Sequence, residues 1–168
     1  MTRVAVVGLG YVGLTSAACL CHLGHKVAGV DTDAPRVESL RRGEIPILEE
    51  GLAELVAAGL ASGRLSFGTS TEKAVVGAEV VFLCVPTPQG ADGSADLTAV
   101  LSASHQLAEH LAKGAVVVTK STVPVGSAGA VVDALGRPDV AVVSNPEFLR
   151  EGHSVADFLH PERIVVGA

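Results

Sequence analysis

The chain has 168 residues, of which 48% are apolar and 18% are charged, and it carries a net charge of −6 with a pI near 5.4. A chain of this length can bury one core, and the apolar excess suits a parallel sheet that is covered on both faces. The acidic balance, without a lysine or arginine cluster, argues against a nucleic-acid partner. The apolar run at residues 4–7 is too short for a signal peptide, so we expect a cytoplasmic protein with no membrane partner.

The first predicted elements form a strand–helix–strand unit. An apolar strand at residues 4–7 leads directly into Gly8-Leu9-Gly10-Tyr11-Val12-Gly13, and a helix over residues 11–23 follows. A second strand at residues 27–30 ends in Asp31, about 20 residues after the glycines. Strand, glycine loop, helix and acid in this order are typical of a unit that binds a dinucleotide.

Each glycine of this loop has a separate physical reason. Gly8 permits a tight turn out of the strand, Gly10 lets a pyrophosphate approach the backbone, and Gly13 lets the helix pack closely on the sheet. The unpaired N–H groups at the start of that helix favour a diphosphate without help from a lysine.

Asp31 predicts the identity of the dinucleotide. Its carboxylate can accept hydrogen bonds from both ribose hydroxyls, whereas a 2′-phosphate would meet its negative charge. NAD is therefore expected in preference to NADP. Arg36 weakens that preference, because a nearby basic residue can serve a 2′-phosphate.

The rest of the chain alternates helices and strands with short connections. Ser94 or Asp96 is expected to cap the third of the helices that follow Asp31. The predicted helices cover residues 34–42, 49–62, 96–111 and 126–135, and the predicted strands cover residues 64–69, 79–85, 115–119, 140–144 and 163–167. This alternation predicts one α/β domain of the Rossmann type. Its doubly wound, mostly parallel sheet has the strand order 3-2-1-4-5-6 and helices on both faces.

A sheet of this kind binds its ligands at the carboxyl ends of its strands. The loops that follow the strands are therefore expected to converge at one edge. They are residues 8–13, 31–36, 85–88, 120–126 and 145–152.

The cysteines and histidines indicate neither a disulfide framework nor a metal site. Cys19, Cys21 and Cys84 lie in apolar segments, so we expect buried thiols and no disulfide framework. The cysteines and the six histidines lack metal-ligand spacing, and no metal site is predicted.

At this point the chain resembles the UDP-glucose/GDP-mannose dehydrogenase family over its whole length. Five ordered motifs carry the resemblance. They are Gly8-Leu9-Gly10-Tyr11-Val12-Gly13-Leu14, then Thr87-Pro88 with Asp92-Gly93 and Ala95-Asp96-Leu97, then Lys120-Ser121-Thr122-Val123-Pro124-Val125-Gly126, then Asn145-Pro146-Glu147-Phe148-Leu149-Arg150-Glu151-Gly152, and finally residues 157–167.

The resemblance implies a reaction. Members of this family oxidise the C6 hydroxyl of a nucleotide sugar to a carboxylate with two NAD⁺ in succession, through a cysteine-bound thiohemiacetal and thioester. The chain looks most like a UDP-glucose 6-dehydrogenase, which makes UDP-glucuronate. A GDP-mannose or UDP-N-acetyl-hexosamine 6-dehydrogenase stays open, because base recognition lies mostly in a second domain. A self-standing NAD-binding module without catalysis also stays open.

The resemblance also assigns residues. Glu147 and Thr122 fall on positions that manage a water near the reacting carbon, and Glu151 is counted with them as catalytic. The predicted cofactor-binding residues are Gly8, Gly10, Tyr11, Val12, Gly13, Asp31, Arg36, Val85, Pro86, Thr87, Ser121, Thr122 and Glu151. The predicted sugar-binding residues are Glu147, Phe148, Leu149, Arg150 and Glu151.

Several of these residues have structural alternatives. Thr87 can pin its own proline-rich turn, and Ser121 and Thr122 can cap the helix that follows Pro124. Glu147 and Glu151 can be solvated loop carboxylates. Lys120 and Arg150 are expected to form structural ion pairs or to order loops rather than to catalyse.

The family's catalytic cysteine, with its lysine, asparagine and aspartate, belongs to a central helix and second domain beyond the matched part. None of the chain's cysteines falls on that position. We therefore expect residues 1–168 to be one NAD-binding domain that holds part of the sugar site and turns over nothing alone. The full-length family member is expected to be a homodimer, and this part alone a monomer or a weak associate.

Overall fold

The structure is a computed structural model that describes residues 1–90, 93–124 and 126–168. Asp92 of the second motif and Val125 of the third lie outside the described residues. Within these three ranges, no helix combines the length and the apolar character that crossing a bilayer demands.

The described chain contains six strands and seven helices, which alternate except that the second and third helices are consecutive. The strands are β1 (Arg3–Val7), β2 (Lys26–Val30), β3 (Leu65–Gly68), β4 (Val80–Leu83), β5 (Val116–Thr119) and β6 (Ala141–Ser144). The helices are α1 (Tyr11–His22), α2 (Ala34–Arg41), α3 (Leu52–Ala61), α4 (Thr71–Val75), α5 (Thr98–Ala108), α6 (Ser127–Leu135) and α7 (Ser154–Leu159).

All six strands pair in parallel in the order β3-β2-β1-β4-β5-β6. The predicted Rossmann-type fold and strand order are confirmed. Because β1 pairs with both β2 and β4, the glycine loop leaves the sheet where the strand order reverses, which is where doubly wound sheets bind ligands.

The core lies in two layers, one on each face of the sheet. Alternate residues of β1 supply both layers, since successive side chains of a strand point to opposite faces. Val4 and Val6 pack with α1, α2 and α3, whereas Ala5 and Val7 pack with α4, α5 and α6. Burial on both faces accounts for the apolar excess of the composition.

Some helices start at other residues than predicted. The helix predicted from residue 49 begins at Leu52, because Gly51 adopts φ 80°, which is left-handed backbone. The short helices α4 and α7 were not predicted. Ser70 caps α4 by accepting the N–H of Lys73, and the Asp96 carboxylate accepts the N–H of Thr98 at the start of α5.

The predicted last strand, at residues 163–167, is wrong. This segment meets the sheet at one antiparallel bridge, in which Ser144 and Gly167 exchange two hydrogen bonds of 2.8 Å. Ile164 and Val166 are 71% and 64% exposed. An apolar run becomes a sheet strand only where a neighbouring strand and a covering layer bury it, and here it runs past the edge strand β6.

Candidate functional site

The turn after β1 requires a glycine at position 8. Gly8 has φ 92°, and its N–H donates to the carbonyl of Val30 at 2.8 Å. A Cβ at this position would lie 2.6 Å from the carbonyl oxygen of Cys84, which directly follows β4. Backbone on both sides therefore encloses the turn, and no side chain fits there.

Gly13 and Gly10 differ in what surrounds them. A Cβ on Gly13 would lie 1.8 Å from the carbonyl oxygen of Gly8, so α1 starts directly against the loop. A Cβ on Gly10 would have no described atom within 4 Å. Gly10 is the N-cap of α1, with φ −70°, and no described side chain caps the first N–H groups of that helix.

Asp31 holds the glycine loop in place. Its Oδ2 accepts the N–H of Leu9 at 2.7 Å and a contact from Arg36 Nη1 at 3.3 Å, and its Oδ1 accepts the N–H of Asp33 at 2.9 Å. Arg36 Nη2 also lies 3.6 Å from Asp33. Because each carboxylate oxygen can accept two hydrogen bonds, Oδ1 keeps acceptor capacity for a further donor.

A cleft of about 790 Å³ opens at the carboxyl ends of the strands; we call it the first cleft. The predicted cofactor residues that line it are Gly8, Gly10, Tyr11, Val12, Asp31, Arg36, Val85, Pro86, Thr87, Ser121 and Thr122. Gly13 lies in the contact between α1 and the loop instead. The convergence predicted for the strand-end loops is therefore observed.

Two hydroxyls tie the walls of the first cleft together. Thr87 Oγ1 donates to the carbonyl of Thr122 at 3.0 Å, and Ser121 Oγ donates to the carbonyl of Val85 at 2.6 Å. Both bonds join the loop after β4 to the loop after β5. Thr87 thus pins a neighbouring loop rather than its own turn, and Ser121 bonds that loop rather than capping α6.

A second cleft, of about 610 Å³, lies beside the first and is formed by the segments around residues 145–150 and 157–164. Four predicted sugar residues line it, namely Glu147, Phe148, Leu149 and Arg150. Glu147 and Lys120 line both clefts, so they lie where the clefts meet. Glu147 Oε2 accepts the N–H of Leu149 at 2.6 Å, which orients its carboxylate.

Glu151 lies elsewhere. It is exposed in the turn that Gly152 completes with φ 84°, and it is missing from the described lining of both clefts. The structure therefore does not bring Glu151 together with Thr122 and Glu147. Its catalytic, cofactor and sugar roles stay predictions.

Arg150 orders its own segment, in agreement with the structural interpretation. Its guanidinium donates to both Asp157 oxygens, at 2.7 and 3.0 Å, and its N–H donates to the same carboxylate at 2.9 Å. Hydrogen bonding to Arg150 lowers the pKa of Asp157 to about 2. The pair fixes the loop after β6 to α7.

Lys120 is a buried cation at the meeting point of the clefts. Its side chain is only 7% exposed, and its Nζ donates to Asn145 Oδ1 at 3.0 Å and lies 5.7 Å from the ring centre of Phe158. Burial lowers the pKa of Lys120. Its hydrogen-bond partner is an amide rather than the carboxylate of an ion pair, so of the two structural interpretations loop ordering applies.

Glu49, which was predicted to lie in a helix, is a polar residue of the loop before α3. Glu49 Oε1 accepts the Tyr11 hydroxyl and the Gly152 N–H, both at 2.5 Å, and its Oε2 accepts the Ser154 N–H at 2.9 Å. Burial acts to raise the pKa of Glu49, but these hydrogen bonds outweigh it and lower the pKa to about 2. Gly51, two residues later, is the signal that could have placed Glu49 in a turn.

We expect Glu49 to make the fold sensitive to acid. Because its folded-state pKa lies below the ordinary value of 4.5, the carboxylate stabilises the fold fully above about pH 4.5, and this contribution is lost as the pH falls towards 2. Glu49→Gln should flatten the pH dependence of the unfolding free energy in that window. Urea unfolding at a series of pH values measures it. Glu50→Gln, at an exposed site, is the control. If the unfolding free energy of Glu49→Gln changed with pH as steeply as that of the control, this expectation would be contradicted.

The three cysteines are free thiols, but the predicted burial is complete only for Cys19 and Cys21. Cys19 and Cys21 are buried in α1, and Cys84 lines the first cleft. Burial raises the pKa of Cys19 and of Cys84 to about 12, so neither is a ready nucleophile at neutral pH. Within the described ranges, no three histidine, cysteine or acidic side chains are grouped as a metal site requires.

Comparison with known proteins agrees with this geometry. The family model of the UDP-glucose/GDP-mannose dehydrogenase family, NAD binding domain, matches residues 2–168. The UDP-glucose 6-dehydrogenase of Rhizobium meliloti is 48% identical over 98% of this chain, and the chain spans 39% of that relative's length.

Two solved structures share the fold closely. A UDP-glucose dehydrogenase from Pyrobaculum islandicum superimposes with a TM-score of 0.93 at 45% identity, covering 100% of this chain and 41% of its own. A GDP-mannose dehydrogenase from Pseudomonas aeruginosa gives a TM-score of 0.91 at 36% identity, covering 99% of this chain and 41% of its own. The resemblance carried by the five motifs is confirmed. The chain belongs to the UDP-glucose/GDP-mannose dehydrogenase family, of which it is the NAD-binding domain.

Proposed function

We propose that this chain is the NAD-binding part of a nucleotide-sugar 6-dehydrogenase that oxidises UDP-glucose to UDP-glucuronate. The observation that carries the proposal is the position of Glu147, which lines both clefts where they meet. A carboxylate at this junction can act on a substrate carbon that lies in the second cleft next to a cofactor in the first. UDP-glucose is preferred because relatives named for it are 42–48% identical to this chain.

The first cleft fits NAD along its length. The open side of Gly10 and the N–H groups that begin α1 would hold the diphosphate, and Asp31 Oδ1 would accept a ribose hydroxyl. Val85, Thr87 and Thr122 would line the nicotinamide end. When bound, NAD supplies the hydride acceptor.

The chain's own contribution to chemistry is proton management. We assign Glu147 and Thr122 to a water near the reacting carbon, because both line the first cleft and together offer a base and a hydroxyl that can relay a proton. Lys120 lies buried at the same junction, where burial lowers its pKa and the nearby charge of Glu147 opposes that shift. Thr122 is held by the bond that its carbonyl accepts from Thr87.

The nucleophile is proposed to lie in a part of the protein that follows residue 168. Cys19 and Cys21 are enclosed in α1, and the Cys84 thiol has its pKa raised to about 12 by burial. The complete protein is proposed to be a cytoplasmic homodimer, and this domain alone a monomer. The reading frame beyond residue 168 distinguishes the candidates: a further domain with a cysteine supports the dehydrogenase, whereas a stop codon supports a self-standing NAD-binding module.

We expect this domain to bind NAD⁺ without turnover. Incubation with UDP-glucose and NAD⁺ should yield no NADH by absorbance, because the domain alone holds only part of the proposed sugar site. Formation of the carboxylate would in addition need the thiol of the thioester step. Steady formation of UDP-glucuronate by the domain would overturn the assignment of the nucleophile to a later part.

The complete protein tests the substrate. It should form NADH with a higher kcat/KM for UDP-glucose than for GDP-mannose or UDP-N-acetylmannosamine. A preference for either of the latter two would replace UDP-glucose in the proposal.

A further inference from the structure

We infer that Glu49 is a positioning residue that couples occupancy of the first cleft to the order of residues 145–153, of which residues 145–150 line the second cleft. The inference rests on the proposed function only for the sugar role of that segment. The contact itself joins three parts of the chain that are distant in sequence: the loop before α3, the start of α1 and the start of α7.

The Glu49 carboxylate uses three short, charge-assisted hydrogen bonds to make this junction. The bonds to the N–H groups of Gly152 and Ser154 span 103 and 105 residues. The bond from the Tyr11 hydroxyl completes the set at 2.5 Å. Hydrogen bonds to an ionised acceptor are about twice as strong as neutral ones, so the junction outweighs an ordinary loop contact.

Tyr11 connects this junction to the first cleft. It follows Gly10 directly, it is the first residue of α1, and it lines the first cleft. Its hydroxyl lies 3.1 Å from the carbonyl of Arg150 as well as 2.5 Å from Glu49. A phenol has one proton to donate, so the hydroxyl can bond to only one of these two acceptors at a time. Either bond restrains residues 145–153, because the Arg150 carbonyl belongs to this segment and Glu49 accepts the N–H of Gly152.

Glu49 also completes the start of α7. The residue before that helix, His153, supplies no side-chain cap within the described structure, and Glu49 accepts the Ser154 N–H in its place. A second contact, in which the hydroxyls of Thr15 and Ser154 lie 3.3 Å apart, joins α1 to α7 without Glu49. Neutralising Glu49 should therefore loosen residues 145–153 while α7 stays packed on α1.

Coupling follows from the shared side chain. A ligand beside Gly10 restricts the Tyr11 ring, and a restricted ring favours one of its two acceptors. Linkage is reciprocal. If the bound ligand shifts the order of residues 145–153 by some factor, then ordering these residues raises the affinity for the ligand by the same factor. Typical couplings of this kind change affinity about 5-fold or more.

Hydrogen exchange of the 168-residue domain, with and without saturating NAD⁺, tests the inference. In the unsubstituted chain, NAD⁺ should slow exchange of the Gly152 and Ser154 amides several-fold. In Glu49→Gln this NAD⁺-dependent slowing should disappear, and the Kd for NAD⁺ should rise about 5-fold. Glu50→Gln is the matched control, because Glu50 is exposed and bonds to no described residue, and it should behave like the unsubstituted chain.

A double-substitution cycle separates coupling from simple loss of stability. Tyr11→Phe should raise the Kd for NAD⁺ by a similar factor, and adding Glu49→Gln to it should bring little further loss, since both act through one contact. Additive effects of the two substitutions on the Kd would overturn the inference. So would a Glu49→Gln domain that is less stable but binds NAD⁺ normally and keeps the NAD⁺-dependent slowing of amide exchange. In either case Glu49 would be only a structural cap.

The outcomes stay distinct from those of the proposed function. Both readouts use NAD⁺ and no sugar, so a complete protein that failed to oxidise UDP-glucose would overturn the proposed substrate without touching the coupling. A domain that binds NAD⁺ but shows no change at Gly152 and Ser154 would overturn the coupling alone.

Discussion

Gly13→Ala should strongly destabilise the native fold, whereas Gly10→Ala should fold and bind NAD⁺ more weakly. The Gly13 Cβ would lie 1.8 Å from the Gly8 carbonyl oxygen, and neither α1 nor the loop can move without disturbing the Gly8 turn. We expect a loss of about 3 kcal/mol or more in unfolding free energy, at the upper end for overpacked sites. Gly10 has φ −70°, which alanine tolerates, and open space around it.

Gly10→Ala should therefore change the unfolding free energy by no more than about 1 kcal/mol. Its methyl group enters the space where the diphosphate is expected, so the affinity for NAD⁺ should fall at least about tenfold, or about 1.4 kcal/mol. Urea unfolding and calorimetric titration measure the two quantities. A Gly10→Ala domain that binds NAD⁺ normally would show that the diphosphate does not approach this glycine.

Asp31→Ala should cost the domain much of its affinity for NAD⁺ and most of its preference over NADP⁺. The carboxylate holds the Leu9 N–H at 2.7 Å and keeps acceptor capacity on Oδ1 for a ribose hydroxyl. Loss of both should weaken NAD⁺ binding by roughly 1–3 kcal/mol. NADP⁺ should lose less, because the charge that opposes a 2′-phosphate is removed and Arg36 is freed from one of its two acidic partners.

Calorimetric titration with both dinucleotides measures this change. Asp133→Ala, at an exposed position of α6, is the control and should leave both affinities unchanged. Asp31→Asn keeps a neutral acceptor, so its affinity for NAD⁺ should lie between those of the Asp31→Ala domain and the unsubstituted domain. Equal affinities of the unsubstituted domain for NAD⁺ and NADP⁺ would remove Asp31 from its assigned role.

The architecture could be predicted from local sequence, because the alternation of apolar strands and helices is visible within short stretches of the chain. Buried strands separated by helices predict a parallel sheet, and the glycine loop identifies β1, from which the strand order follows. The glycines were also predictable, since Gly8 and Gly13 are required by backbone contacts within one strand–helix unit.

What sequence could not supply are the contacts between distant segments. Nothing next to Glu49 indicates that its carboxylate meets Gly152 and Ser154, and nothing next to Thr87 indicates that its hydroxyl bonds the Thr122 carbonyl. The error at residues 163–167 has the same origin. An apolar run does not reveal whether a neighbouring layer will cover it, and Ile164 is 71% exposed.

The walls of the two clefts differ in how freely they can diverge during evolution. Lys120 and Glu147 line both clefts, so under the proposed function any substitution there is selected for cofactor and sugar at once. Phe148, Leu149 and Ile164 face only the second cavity and escape that double selection. New sugar preferences should therefore arise first at these three positions, while the junction between the clefts changes last.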